Sequence, residues 1–257
     1  WAGGRISTGW KKYFYYREWR LSRYWEKWYA IWAGNAFGLS SKDRRMVDSW
    51  DIGVKAAVLP ILLDESLFRL TRRKTKEADI LFIGALHRMV NIDALKNLKE
   101  NIMPPVIQKY PEIRCTIVGA GPGRKIRRME SENFIVTGRV EDIKPYYRQA
   151  ATLAAPLRVA GGIIIKIVQA MAAGIPVIAS RAANAGIGAR QGVEILLADQ
   201  PEDFARKIIF LLDNPAAGER IGQAGRDFIR RKFSPERCRE KLNRAYEAVA
   251  EEKKNGF

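Results

Sequence analysis

The groups in this chain best suited to chemistry are cations set among glycines. In PLRVAGGIIIKIVQAMAAGIPVIAS, residues 156–180, Arg158 precedes the pair Gly161-Gly162, and Lys166 follows it by about one helical turn. Glycine lets a backbone come close to a ligand, and a helix that begins directly after it offers free N–H groups and the positive end of its dipole. A phosphate-type anion is the natural guest, with Lys166 and Arg158 adding charge. Three other apolar runs end the same way: Ile83 leads into Gly84, Val118 into Gly119-Ala-Gly121-Pro-Gly123, and Thr137 into Gly138. A lone GxGxG is weak, because strand-to-helix turns use glycine anyway and no acidic ribose partner stands where the dinucleotide fingerprint demands one. Four such corners on one edge would let their amide hydrogens converge on a single diphosphate.

Other chemistries have little footing. His87 is the only histidine, so neither a serine nor a cysteine triad follows from it. Cys115 and Cys238 are too few for a disulfide framework and lack metal-ligand spacing, so no metal site is expected. A net charge of +17 attracts polyanions, anionic lipid or phosphorylated small molecules without choosing among them.

The elements that must position these groups follow from the apolar rhythm. Runs at 80–83, 114–118, 134–137, 152–155, 176–179 and 194–197 are continuous rather than alternating, as suits strands covered on both faces. Helix-length segments separate most of them, at about 92–109, 124–130, 141–150, 164–173 and 201–212, with two more at 215–233 and 235–254. Alternation of this kind predicts an α/β fold, a Rossmann-like parallel sheet flanked by helices. Ahead of it, residues 10–32 interleave Trp and Tyr with Lys and Arg on a helix expected at Tyr13–Tyr29. Its rings suit either a membrane interface or packing against a part of the protein not present in this chain. A short strand ending at Ser40-Ser41 and a helix capped by Ser41 come next. No run of about 18 apolar residues and no signal peptide is seen, so the default compartment is the cytoplasm.

In order and spacing, ILFIGALHRMVNIDAL, TIVGAGPG, IVTGRVEDIKPYYRQA, APLRVAGGIIIKIVQAMAAGIPVIAS and GVEILLADQPEDFARKIIFLLDNPAAGERIGQAGRDFIRRKFS resemble the donor-binding, C-terminal domain of retaining family 4 (group 1) glycosyltransferases. The resemblance implies the C-terminal half of a GT-B fold. It makes 1–55 a remnant of the acceptor-side domain, 56–78 a linker, 79–233 the nucleotide-sugar-binding domain and 234–257 a helix crossing back. It also implies a fragment inactive alone, with acceptor-side catalytic elements upstream of Trp1. The implied activity is transfer of a sugar from a UDP- or GDP-linked donor to a glycan or lipid-linked acceptor, with no cofactor or required metal. An anionic membrane surface would be a peripheral partner, and nucleic acid is disfavoured because no nucleic-acid module is recognisable.

By position, the resemblance assigns the diphosphate to Gly161, Gly162 and Ile163, with Arg158 and Lys166 beside it. Gly84 and Arg88 form the opposite wall, Arg139 and Val140 lie beside the base, and Gly119 and Gly121 lie beneath. Arg88 and Lys166 are the catalytic candidates, stabilising the leaving diphosphate. The sequence departs from the family pattern in four places. Gln169 stands where a ribose-binding glutamate is common, and Gly161 where many members have a second glutamate and a subgroup with a triple-glycine loop has glycine. Ala160 replaces the first glycine of a triple-glycine loop, and Ile164-Ile165 replaces a polar pair. A neutral amide accepts hydrogen bonds about half as strongly as a carboxylate, so a catalytically silent binding module is the alternative reading.

Overall fold

A computed structural model of the chain describes residues 9–59, 61–71 and 79–254. The chain divides into two compact units, 1–63 with 233–257, and 64–232.

In the first unit, helix α1 (Trp10–Ala33) is longer than the 13–29 expected. It stops at Gly34, whose left-handed backbone (φ 73°) turns its N–H back onto the carbonyls of Ala30 and Ile31. Its inward face is not the aromatic one. Ala30 is buried, and Arg23 and Lys27 lie 5.4 and 5.9 Å from the Trp50 ring centre. Trp10, Phe14, Leu21, Trp25, Trp28 and Trp32, at helical spacing on the other side, are exposed.

Strand β1 (Asn35–Gly38) pairs in parallel with β2 (Lys55–Val58) across helix α2 (Ser41–Asp48). The cap of α2 is Ser40, not Ser41. The Ser40 hydroxyl accepts from the Asp43 N–H, and the Asp43 carboxylate accepts from the Ser40 N–H at 3.0 Å, a reciprocal box that needs the extended backbone found at Ser40. Strand β2 also lies mostly within 56–78, so that stretch starts as strand rather than linker and continues with a 3₁₀ turn at Glu65–Arg69. Residues 72–78 lie outside the described residues.

In the second unit, all six apolar runs become strands: β3 (Asp79–Ile83), β4 (Cys115–Val118), β5 (Phe134–Gly138), β6 (Ala150–Ala155), β7 (Val177–Ala179) and β8 (Leu196–Leu197). Every pairing is parallel, in the order β5-β4-β3-β6-β7-β8. Ile80, Leu81, Phe82, Ile117, Leu153, Val177 and Ile178 are buried, which explains why the runs do not alternate with polar residues.

The connecting helices are α3 (Met89–Asn97), α4 (Met103–Lys109), α5 (Arg124–Arg127), α6 (Lys144–Gln149), α7 (Ile165–Ala172), α8 (Arg181–Asn184) and α9 (Pro201–Asp213); α10 (Pro215–Phe233) follows. Between α3 and α4 the expected single helix opens into a π-helical turn, Leu98–Ile102. Pro104 and Pro105 have no N–H to donate to the preceding turn, so the helix widens just before them. The last helix, α11 (Pro235–Lys254), falls in the first unit. Both cysteines are buried and unpaired.

Candidate functional site

The strand order reverses between β3 and β6: the chain builds outward through β4 and β5 on one side, then returns to lay β6, β7 and β8 on the other. In such sheets a crevice opens beyond the carboxyl ends of the two central strands, and ligands bind there. The parallel order places Gly84, Gly119, Gly138 and the 156–164 loop at that one edge, at the ends of β3, β4, β5 and β6.

The edge is not built as a ring of converging amides. The Gly84 N–H donates to the Val118 carbonyl at 3.0 Å, and the Gly119 N–H to the Gly138 carbonyl at 2.9 Å. Both are spent inside the protein. Gly119 is required by close approach, since a Cβ there would fall 1.7 Å from the Gly84 carbonyl oxygen. Gly121, at φ 72°, lies against His87. Arg139 is exposed and Val140 half-buried just after β5.

Free amides are concentrated after β6. The N–H groups of Gly161, Gly162, Ile163, Ile164, Ile165 and Lys166 have no acceptor among the described residues. Gly162 takes a left-handed conformation (φ 63°) and its carbonyl sits against Gly186, where a Cβ would come within 2.0 Å. Ile164, the N-cap residue of α7, offers no side-chain cap, so the first-turn amides and the positive end of the helix stay open.

The cations behave differently from one another. Arg158 forks onto Asp93, with Nε 2.9 Å from Oδ2 and a terminal nitrogen 2.5 Å from Oδ1. Its charge is compensated, and it ties the loop after β6 to α3. Arg88, the N-cap residue of α3, is exposed, and its guanidinium has no partner among the described residues. Lys166 as a whole is only partly buried, but its Nζ lies 4.1 Å from the Phe82 ring centre and donates to Asn91 Oδ1 at 3.1 Å. No carboxylate pairs with it among the described residues, and burial pushes the ammonium down to about 7. Gln169, one turn further along α7, is half-buried and its carboxamide has no partner among the described residues.

Asn91 escaped the sequence reading. It is buried on α3, donates from Nδ2 to the Ala85 carbonyl at 2.9 Å, and so presents Oδ1 to Lys166 on α7. An isolated asparagine at the start of an apolar helix carries no signal of that role. The Arg158–Asp93 pair was equally hidden, as its members are far apart in sequence.

A parallel α/β sheet with this glycine edge is the architecture of one half of a GT-B glycosyltransferase. TarM of S. aureus, solved with UDP, fondaparinux and α-GlcNAc-glycerol, superposes with a TM-score of 0.70 at 17% identity over 82% of this chain and 43% of its own. HepE of Anabaena, solved with UDP-glucose, gives 0.67 at 14% identity over 82% of this chain and 63% of its own. The model of the glycosyl transferases group 1 family matches residues 77–214, and the chain belongs to that family. An uncharacterized glycosyltransferase of Methanocaldococcus jannaschii is 26% identical over 184 residues, 66% of this chain and 48% of the relative. The chain thus spans about half the length of the curated relatives it matches.

Proposed function

We propose that this chain supplies the donor-binding side of a retaining, family 4 type glycosyltransferase. It would transfer a sugar from a UDP- or GDP-linked donor to a glycan or lipid-linked acceptor. One observation carries the reading: an unbroken run of free amides, residues 161–166, opens the helix that also bears the uncompensated Lys166, at the switch point of a parallel sheet.

That arrangement suits a group whose negative charge grows as a bond breaks. As the sugar leaves, the departing diphosphate gains charge, and amides fixed by the fold stabilise it without reorganising. Lys166 adds a cation from within the crevice and Arg88 one from its rim. Gly84, Gly119 and Gly121 form the floor, while Arg139 and Val140 stand where the base would lie. Gln169 accepts from the ribose hydroxyls through its carbonyl oxygen. The presence of UDP with TarM and of UDP-glucose with HepE supports a uridine nucleotide as the first donor to try. The retaining outcome rests on the resemblance of the sequence blocks.

The exposed aromatic face of α1, with Lys11, Arg17 and Arg20 around it, supports a peripheral encounter with an anionic bilayer presenting the acceptor. Among the described residues no helix is long and apolar enough to cross a membrane.

Gln169 favours one second reading, a module that binds the nucleotide sugar without turning it over. Calorimetry with UDP and GDP, followed by assay of nucleoside diphosphate release from UDP- and GDP-sugars with the chain extended to the length of its relatives, separates the two. Binding with release supports the transferase, and binding without release the silent module. No binding of either nucleotide refutes both.

A further inference from the structure

Beside the Arg158–Asp93 pair, a second side-chain contact joins the segments that follow β3 and β6, and in it a lysine meets a neutral acceptor. Lys166, the second residue of α7, donates to Asn91 Oδ1 at 3.1 Å while its Nζ rests 4.1 Å from the centre of the Phe82 ring. The orientation of Asn91 is fixed from its other end, because Nδ2 donates to the Ala85 carbonyl at 2.9 Å and only the oxygen remains to face the amine. Gly84 makes room for it: a Cβ there would lie 2.8 Å from Nδ2 and 2.9 Å from Cγ of Asn91.

Lysines enclosed this far usually have a carboxylate beside them. The carboxylates on the surrounding segments are engaged elsewhere. Asp93, on the same helix as Asn91, is held by Arg158 through two bonds. Glu65, on the 3₁₀ turn that packs against α7, is paired with Arg69, and Asp64, just ahead of it, with Lys144. The β3–α3 turn contributes only His87 and Arg88, both exposed, and β6 and β7 carry no ionisable side chain. The π face of Phe82 and the Asn91 oxygen are therefore what steady the ammonium.

We infer that Asn91 is the positioning residue for Lys166, aiming its amine into the crevice while withholding a counter-charge, so that the anion entering the crevice supplies it. This rests on the diphosphate reading above for the nature of that anion, but not for the state of Lys166 before it arrives. With the free ammonium lowered to about 7 by burial, an arriving diphosphate raises it. Binding then takes up a proton above pH 7, and affinity falls as pH rises through the range between the free and bound values.

Carbon-detected NMR of lysine Cε in the full ligand-free chain tests the assignment, with Lys166→Met identifying the resonance. The expected result is one lysine titrating near neutrality. Asn91→Asp should move it up by about 1–3 pH units by adding an opposite charge. Asn91→Ala should move it down, because the charged form loses its hydrogen bond. A purely structural asparagine would shift stability in both variants but would not drive the lysine in opposite directions. The inference is overturned if Lys166 titrates in the ordinary lysine range, or if the two variants leave it in place. Calorimetry of UDP at pH 8 in HEPES and in Tris reads the coupling, with proton uptake expected and reduced in Asn91→Asp. If Lys166 titrates as expected but neither UDP nor GDP binds, the diphosphate reading falls and the Asn91 assignment stands.

Discussion

The carboxyl edge of the sheet in residues 64–232 and the outer face of α1 in the other unit both leave groups unmatched, in opposite ways. At the edge the unmatched groups are polar: amides 161–166 without acceptors among the described residues, and an amine set against an aromatic ring and an amide oxygen. On α1 they are large rings in the open, with Trp10 at 76% and Trp32 at 77% exposure, while two of the helix's cations are turned inward over Trp50. Free backbone donors suit a small, anionic guest. A row of indole and phenol rings flanked by basic residues defines a broad, soft surface.

The sharpest way to break the edge is to disturb its floor. Gly119→Ala places a carbon where the Gly84 carbonyl stands, so the backbone must shift. We expect a loss of about 3 kcal/mol or more in denaturant unfolding, while Gly161→Ala, with nothing within 4 Å of its Cβ, should cost far less. Lys166→Met separates binding from folding. UDP affinity by calorimetry should fall roughly 10- to 100-fold, the worth of a hydrogen bond to a charged group, with stability kept or raised because an enclosed charge is removed.

For α1, co-sedimentation should show stronger binding to anionic than to neutral vesicles. Arg17→Ala with Arg20→Ala should weaken the anionic binding by roughly tenfold and leave UDP affinity unchanged. Equal binding to both vesicle types would contradict the role given to the basic flank. The smallest effect expected is from Gln169→Glu, which should tighten UDP binding about three- to fivefold by offering the ribose a charged acceptor.

Much of the edge was legible because it is made of chain punctuation. Unbroken apolar runs gave all six strands, and the glycines after them marked the rim, since both signals lie within a few residues of each other. What the sequence concealed depends on pairs brought together by the sheet. Asn91 and Lys166 meet only because β3 and β6 are neighbours, and Arg158 reaches Asp93 for the same reason. Nothing local announces that Arg158 is already neutralised or that the amides of Gly84 and Gly119 are consumed by their neighbours. Strand β2 was missed because a four-residue run before a proline reads as connector, and only its pairing with β1 makes it a strand.

A diphosphate seated on the amides that open α7 must perturb those amides when it binds. Backbone amide NMR during a UDP titration tests it most directly. The resonances of Gly161 to Lys166 should shift furthest and those of Gly84 and Gly119, already bonded within the protein, should move little. Saturable UDP binding that leaves residues 161–166 unmoved would contradict it.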